Sequence, residues 1–377
     1  MANLGMIEDS DIYRKLQQHL DKMPVGFPSV KSGADIRLLK HLFTPEEAKI
    51  AMFLKFGWDR DLESIEIIYE RAKETGISLE ELETFLDRMV SKGSINFKKE
   101  EGKKYYGNAI LAVGMFEWQV NNLTKEFIKD FHDYYTQGYL PEASRVRAAQ
   151  LRTIPVEKSI EFEHNVSNFD NISKILESSE GPFAIMNCVC RQVKDILEDP
   201  CKATNRREVC MAAGMMAQVT IDLGRGHEIT KEEAFEILKK NQEEGLVLQP
   251  DNSQNFSFVC SCCSCCCENL SKYLMLPNPA DVVVANYYAD VDSDLCIGCG
   301  TCVEICPMKA IKLKDDLSLV KRKRCIGCGN CASKCPSEAI KMIKRDRQFT
   351  PYPSMDDLFD RIMQRKIRLE EQSIKKK

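Results

Sequence analysis

LCIGCGTCVEICP (residues 295–307) and RCIGCGNCASKCP (residues 324–336) are two copies of one pattern, C-x2-C-x2-C-x3-C-P, set 29 residues apart. Thiolates separated by two residues in a tight loop can take three corners of one iron–sulfur cube, and the fourth cysteine, displaced beyond the loop, reaches the other cube. Two [4Fe–4S] clusters with crossed ligation are therefore expected. The repeat extends past the cysteines: Gly298 and Gly300 are answered by Gly327 and Gly329, Ile297 by Ile326, and Ala310-Ile311 by Ala339-Ile340. Glycine lets the backbone approach sulfur and donate N–H groups to it, and isoleucine shields it. Zinc sites with four cysteines also use C-x2-C pairs, but they rarely need the third step or the proline.

Over about residues 286–345 these motifs resemble a dicluster bacterial ferredoxin. The resemblance implies that Cys296, Cys299, Cys302 and Cys335 hold one cluster and that Cys325, Cys328, Cys331 and Cys306 hold the other. It implies electron transfer and says little about the rest of the chain.

With 377 residues, 44% of them hydrophobic, the chain should bury two or three cores. Net charge is −4, and basic residues are dispersed except at residues 321–324 and 375–377, so no extended nucleic-acid surface is expected. The residues through Tyr13 lack an apolar signal region, and no apolar run approaches the ~18 residues of a membrane span. A soluble, cytoplasmic protein is the expectation. Eighteen cysteines without a secretion signal argue for metal ligation in a reducing compartment, and for an anaerobic setting, over a disulfide framework.

The expected fold class is α+β and multidomain: an N-terminal arm (1–35), a winged-helix-like domain (36–150), a Cys-rich α/β middle domain (151–280), a ferredoxin-like dicluster domain (281–345) and a helical tail (346–377). Thr44-Pro-Glu-Glu47 combines an N-cap, a proline in the first turn and a capping-box glutamate, opening a helix expected through Phe56. A second helix is expected over about 62–74, and Ser78-Leu-Glu-Glu81 opens a third that ends near Gly93. Residues 94–97 and 104–106 then flank a Glu-Glu-Gly turn as a hairpin wing. This module resembles winged-helix domains. Its third helix, however, carries Glu80, Glu81, Glu83 and Asp87 against Arg88 and Lys92, which disfavours DNA despite Lys98, Lys99, Lys103 and Lys104 in the wing. Protein docking or scaffolding is expected instead, with the apolar residues 23–28 as a linker packed on the first helix.

Ten more cysteines lie in the middle: Cys188, Cys190, Cys201 and Cys210, then Cys260, Cys262, Cys263, Cys265, Cys266 and Cys267, six within eight residues. C-x-C on a strand aims two sulfurs at one site. A helix from Thr230 to about Glu244 and a short strand over 246–248 provide a route that carries the second group back onto the first. Three readings are open for these sulfurs: one or two further Fe–S clusters, zinc, or metal-free redox thiols at a substrate site. The first ligand candidates are Cys188, Cys190, Cys210, Cys260, Cys262 and Cys263. Arg191 is placed either to stabilise a thiolate beside Cys190 or to pair with Asp195 along a helix. His19, His41, His132, His164 and His227 show no ligand spacing, and no phosphate-binding glycine motif is present. A flavin or nicotinamide would then sit on a partner. The tail helix, from Met355 to about Glu371, is expected to pack on the ferredoxin domain.

The whole layout is similar to a class of multidomain 4Fe–4S ferredoxin-like proteins of anaerobic microbes. It implies iron–sulfur redox work and adds no known substrate; a redox partner protein is expected, which could be flavin- or metal-containing. A ferredoxin-fed reductase with its active centre in the middle domain, or an Fe–S redox-sensing regulator of transcription, are the alternatives.

Overall fold

Three capping boxes open three helices. Thr44, Ser78 and Thr230 each accept a hydrogen bond from the N–H three residues on, while Glu47, Glu81 and Glu233 reach back to the N–H of the cap. In the computed structural model, which describes residues 9–160 and 167–375, the chain forms two compact units, Met1–Ala148 with Met355–Lys377, and Ala149–Ser354.

The first unit runs α1 (Asp9–Leu20), α2 (Ala34–Leu42), α3 (Pro45–Ala51), β1 (Glu63–Ser64), α4 (Ile65–Ala72), α5 (Leu79–Lys92), β2 (Ile95–Glu100), β3 (Lys103–Asn108), α6 (Lys125–Tyr134) and α7 (Leu140–Val146). Its three strands are ordered β1-β3-β2, and the hairpin pairs Glu100 with Lys103 across the expected turn. Leu16, Leu38, Leu86, Met89, Tyr106 and Phe131 fill the core. The helix that opens at Thr44 stops at Ala51, short of the expected Phe56. Asn108, at the end of β3, donates its side-chain amide to the carbonyls of Ala51 and Leu54, both at 2.9 Å, and so satisfies that helix end from a distant strand. The apolar residues 23–28 are core here: Phe27 is 1% exposed and stacks on Tyr134 with ring centroids 4.2 Å apart.

The tail helix, Met355–Ile374, belongs to this first unit and not to the ferredoxin domain, which corrects the sequence expectation. Phe359 packs on Phe56 and Trp58. Lys366, buried, donates to the carbonyl of Met23 at 2.8 Å, and the buried Asp356 carboxylate accepts the N–H groups of Asp59 and Arg60 at 3.2 and 3.3 Å.

The second unit joins the expected middle and ferredoxin domains in one body. It contains α8 (Ile172–Ser178), β4 (Phe183–Asn187), α9 (Val189–Ile196), β5 (Glu208–Ala213), α10 (Gly214–Asp222), β6 (Gly226–Ile229), α11 (Lys231–Glu243), β7 (Val247–Pro250), β8 (Phe258–Cys262) and α12 (Glu268–Met275). β9 (Tyr287–Val291), α13 (Thr301–Ile305), β10 (Ile311–Lys314), β11 (Leu317–Val320), α14 (Asn330–Ser333) and β12 (Ile340–Lys344) follow. Strands β4 to β8 form a sheet of order β6-β4-β5-β8-β7 in which every pair is antiparallel. The middle region is thus α+β, not the α/β domain expected from its alternating helices and strands, because alternation along the chain does not set strand direction. Phe183, Ile185, Met211 and Ala213 meet α8 and α11 on one face, while Ala184 and Ala212 meet Ala217 of α10 on the other.

Replacing Asp356 with alanine strands two backbone donors and should cost about 1–3 kcal/mol in urea unfolding of the full chain. Asp360→Ala, which removes only an exposed pair with Arg60 at 2.8 Å, should cost no more than about 1 kcal/mol. Equal losses in both variants would refute the buried cap.

Candidate functional site

The two ferredoxin loops are alike in sequence and opposite in environment. Each is followed by a short helix, α13 or α14, entered through a left-handed glycine, Gly300 or Gly329. Strand β9 pairs antiparallel with β12, bringing Val291 opposite Ile340, and β10 pairs with β11. Around the first loop Cys299 is exposed, Cys296 is half-buried and Ile297 is 66% exposed. Around the second, Cys325, Cys328 and Cys331 are buried and Ile326 is 2% exposed. Gly327 is in the left-handed region, where a Cβ would strike the Tyr287 carbonyl, and at Gly329 a Cβ would meet Ser159 and the Val156 nitrogen. The second loop is therefore sealed by residues from outside the repeat, with Val156 donating to the Cys328 carbonyl at 3.0 Å.

Cys306 leaves the first loop and joins the second. With Cys325, Cys328 and Cys331 it lines an enclosed apolar cavity walled by Ala289, Ala310, Ile311 and Ile326. Backbone N–H groups point at its sulfurs, Ala310 to Cys306 at 3.2 Å and Ala289 to Cys325 at 3.3 Å. Burial pushes the Cys306, Cys328 and Cys331 thiols up, because a thiolate loses its hydration there. Four sulfurs lining one cavity, three of them held neutral by burial unless a cation is present, suit an iron–sulfur cluster. At the exposed loop, N–H groups of Gly298 and Ser318 hold Cys296 below its ordinary value. Cys302 is buried 3.1 Å from the Ser318 hydroxyl, and Cys335 packs half-buried on the same apolar core.

The ten middle cysteines divide into two groups. The first is a closed ring of six, in which each sulfur lies beside two others in the order Cys190, Cys188, Cys210, Cys260, Cys262, Cys267 and back to Cys190. The sheet builds it. β5 and β8 pair Met211 with Val259, so the next step of that register sets Cys210 opposite Cys260, and Cys262 lies two residues on, on the same face. Cys188 and Cys267 cap α9 and α12. The Cys267 sulfur accepts the N–H group of Leu270 at 3.5 Å at its helix N-terminus, whereas the Arg191 N–H donates to the Cys188 carbonyl at 3.0 Å.

Ionisation alternates around this ring. Neighbouring Cys190 holds the Cys188 and Cys267 thiols well below the usual range, and Cys210 brings Cys260 down to about 6. Cys190, Cys210 and Cys262 are pushed up, first by the thiolate they would face and then by burial. Six thiolates at once would require positive charge in the ring. Cys260, Cys262 and Cys267 share one apolar core with Cys325, Cys328 and Cys331, together with Val247, Leu270 and Tyr287.

Cys201, Cys263, Cys265 and Cys266 form the second group, and their four sulfurs all lie within 4.8 Å of one another. Arg191, 1% exposed, sets its Nε 3.4 Å from the Cys201 sulfur and Nη2 3.6 Å from that of Cys263, and donates through Nη1 to the Ser261 carbonyl at 3.0 Å. Cys266 and this guanidinium bring the Cys263 thiol down to about 5 against the opposing effect of burial. Asp195, the alternative partner for Arg191, instead pairs with Arg207.

Of the six first candidates, the structure keeps five together and sends Cys263 to the second group, with Cys267 completing the ring. The neighbours Cys262 and Cys263, and again Cys266 and Cys267, go to different groups, while Cys265 and Cys266 share one; the turn after β8 decides which, and no local signal distinguishes them. Asn330 also escaped sequence reading: its side chain donates to the Gly245 carbonyl at 2.5 Å and ties the second ferredoxin loop to the turn after α11.

Residues 289–348 match the family model of the 4Fe-4S dicluster domain. No curated protein and no solved structure matches the chain. The C-terminal part of this protein is accordingly a dicluster domain that carries two [4Fe–4S] clusters.

Proposed function

We propose that this chain is an electron-transfer protein or subunit, exchanging electrons with a redox partner at the exposed loop and with the middle domain behind the buried one. The clusters supply one-electron redox chemistry. In this reading Cys296, Cys299, Cys302 and Cys335 hold the cluster nearer solvent, and Cys325, Cys328, Cys331 and Cys306 hold the cluster nearer the sheet. The cavity lined by the latter four supports the crossed arrangement. Leu295, Ile297, Leu313 and Leu319, all exposed, offer the partner an apolar surface beside the first loop. The carrying observation is that three sulfurs of the six-membered ring share an apolar core with the buried ferredoxin loop, which supports a further iron–sulfur centre there.

Residues 36–150 fit a winged-helix-like domain, since helix, short strand, two helices and hairpin follow in order and the strands pair β1-β3-β2. Four of the cations on its third helix and wing are already engaged. Arg88 and Lys92 meet Glu47, Lys104 meets Glu83 and Asp87, and Lys98 meets Asp59. Such a surface suits protein docking over DNA. Among the described residues no helix is long and apolar enough to cross a membrane, in keeping with a cytoplasmic role.

Protein purified without oxygen should contain more than about eight irons per chain with matching sulfide, eight being the share of the two ferredoxin clusters. Cys190→Ser and Cys262→Ser should each lower that count while the dicluster EPR signals persist. About eight irons in the parent, unchanged in both variants, would restrict iron to residues 289–348. Separately, Cys306→Ser and Cys335→Ser should each remove the signal of a different cluster; loss of neither would refute the crossed ligation. Genomic DNA fragments at low salt should show no salt-sensitive binding.

A further inference from the structure

The four sulfurs of the second group are set too close for an iron–sulfur cube. Cys201 lies 3.6 Å from Cys263 and 4.0 Å from Cys265, while Cys265 lies 3.4 Å from Cys263 and 3.7 Å from Cys266. A single tetrahedral ion with metal–sulfur bonds near 2.3 Å places its sulfurs about 3.8 Å apart, by the geometry of the tetrahedron. Thiolates on the corners of a [4Fe–4S] cube stand about 6 Å apart, because each lies beyond its own iron. The observed separations centre on the first figure, and the 4.8 Å limit for the whole set excludes the second.

We propose that Cys201, Cys263, Cys265 and Cys266 bind one zinc ion, in a closed structural site distinct from the iron–sulfur centres. Four thiolate donors around one tetrahedral position select zinc among the ions of a reducing compartment and leave no place for substrate or water. Such a site has a net charge of minus two, which burial penalises unless it is balanced. Arg191 offsets one of these two charges. Its guanidinium contacts two of the four sulfurs and is fixed by the Ser261 carbonyl. The N–H of Lys202 is directed at the third, Cys265. Hydrogen bonds of this kind orient zinc thiolates and spread their charge.

The site also accounts for six cysteines in eight residues. Cys260, Cys262 and Cys267 face the ring, and Cys263, Cys265 and Cys266 face the tetrad. Zinc would tie the loop before β5, through Cys201, to the turn after β8. Zinc here acts on geometry and leaves electron transfer to the other centres, so the proposal does not depend on how many irons the ring and the dicluster domain hold.

The test is metal analysis of the full chain purified without oxygen, with X-ray absorption at the zinc edge. One zinc per chain is expected, surrounded by four sulfurs at about 2.3 Å. Cys201→Ser and Cys266→Ser should lose that zinc with iron and sulfide unchanged. The absorption measurement on the parent protein decides even if a variant fails to fold. Absence of zinc from the parent, loss of about four irons and their sulfide in Cys201→Ser, or a single iron in a shell of four sulfurs without sulfide would each overturn the proposal.

Discussion

Buried sulfur charge governs the second unit. A thiolate removed from water is costly unless a cation or several N–H donors replace its hydration, and this fold gathers fourteen of its eighteen cysteines into three groups, of six, four and four, where that condition must be met together. The architecture reads as a set of responses to it. Two of the ring cysteines sit at helix N-termini, and the sulfur of one, Cys267, receives an N–H group there. Arg191 is spent wholly inside, and the second ferredoxin loop is covered by residues 156–159 and by the turn at Gly245. Without metal, mutual hydrogen bonding lets alternate ring thiols stay neutral; with metal, all can be thiolates.

The same constraint makes the two halves of the dicluster domain unequal. Sequence symmetry is nearly complete, yet Ile297 is 66% exposed and Ile326 is 2% exposed. Desolvation and N–H donors tune the potential of an iron–sulfur centre, so two loops with the same ligand spacing need not give centres of equal potential. One half meets solvent, where a partner can approach; the other meets the sheet.

What could be read in the sequence was local. The cysteine spacing, the capping boxes at Thr44, Ser78 and Thr230, and the left-handed Gly93 that ends α5 each involve residues a few positions apart, and each appears in the structure. What could not be read depends on distant partners. The end of α3 is set by Asn108, more than fifty residues away. The tail helix finds its place through Asp356 on Asp59 and Lys366 on Met23. Strand direction in the middle sheet was equally hidden, since helices between strands suit both parallel and antiparallel pairing.

The site followed the same division. That C-x-C on a strand would present two sulfurs to one centre was legible from the period of a strand, and Cys260 with Cys262 behave so. The separation of Cys262 from Cys263 was not, because neighbours in a run of cysteines have identical chemistry and differ only in the direction of a turn. Direction is a tertiary property: β8 is held between β5 and β7, with Val247 opposite Cys262 and Gln249 opposite Cys260. This pairing fixes which face Cys262 presents, and the chain beyond it has to reverse before α12 begins at Glu268. A run of cysteines across that reversal supplies sulfur to both sides of it, which a run confined to one strand face could not do. The dense cysteine segment is therefore best understood as two interleaved ligand sets sharing one turn, each completed by cysteines from the first group: Cys188, Cys190 and Cys210 for the ring, and Cys201 for the tetrad.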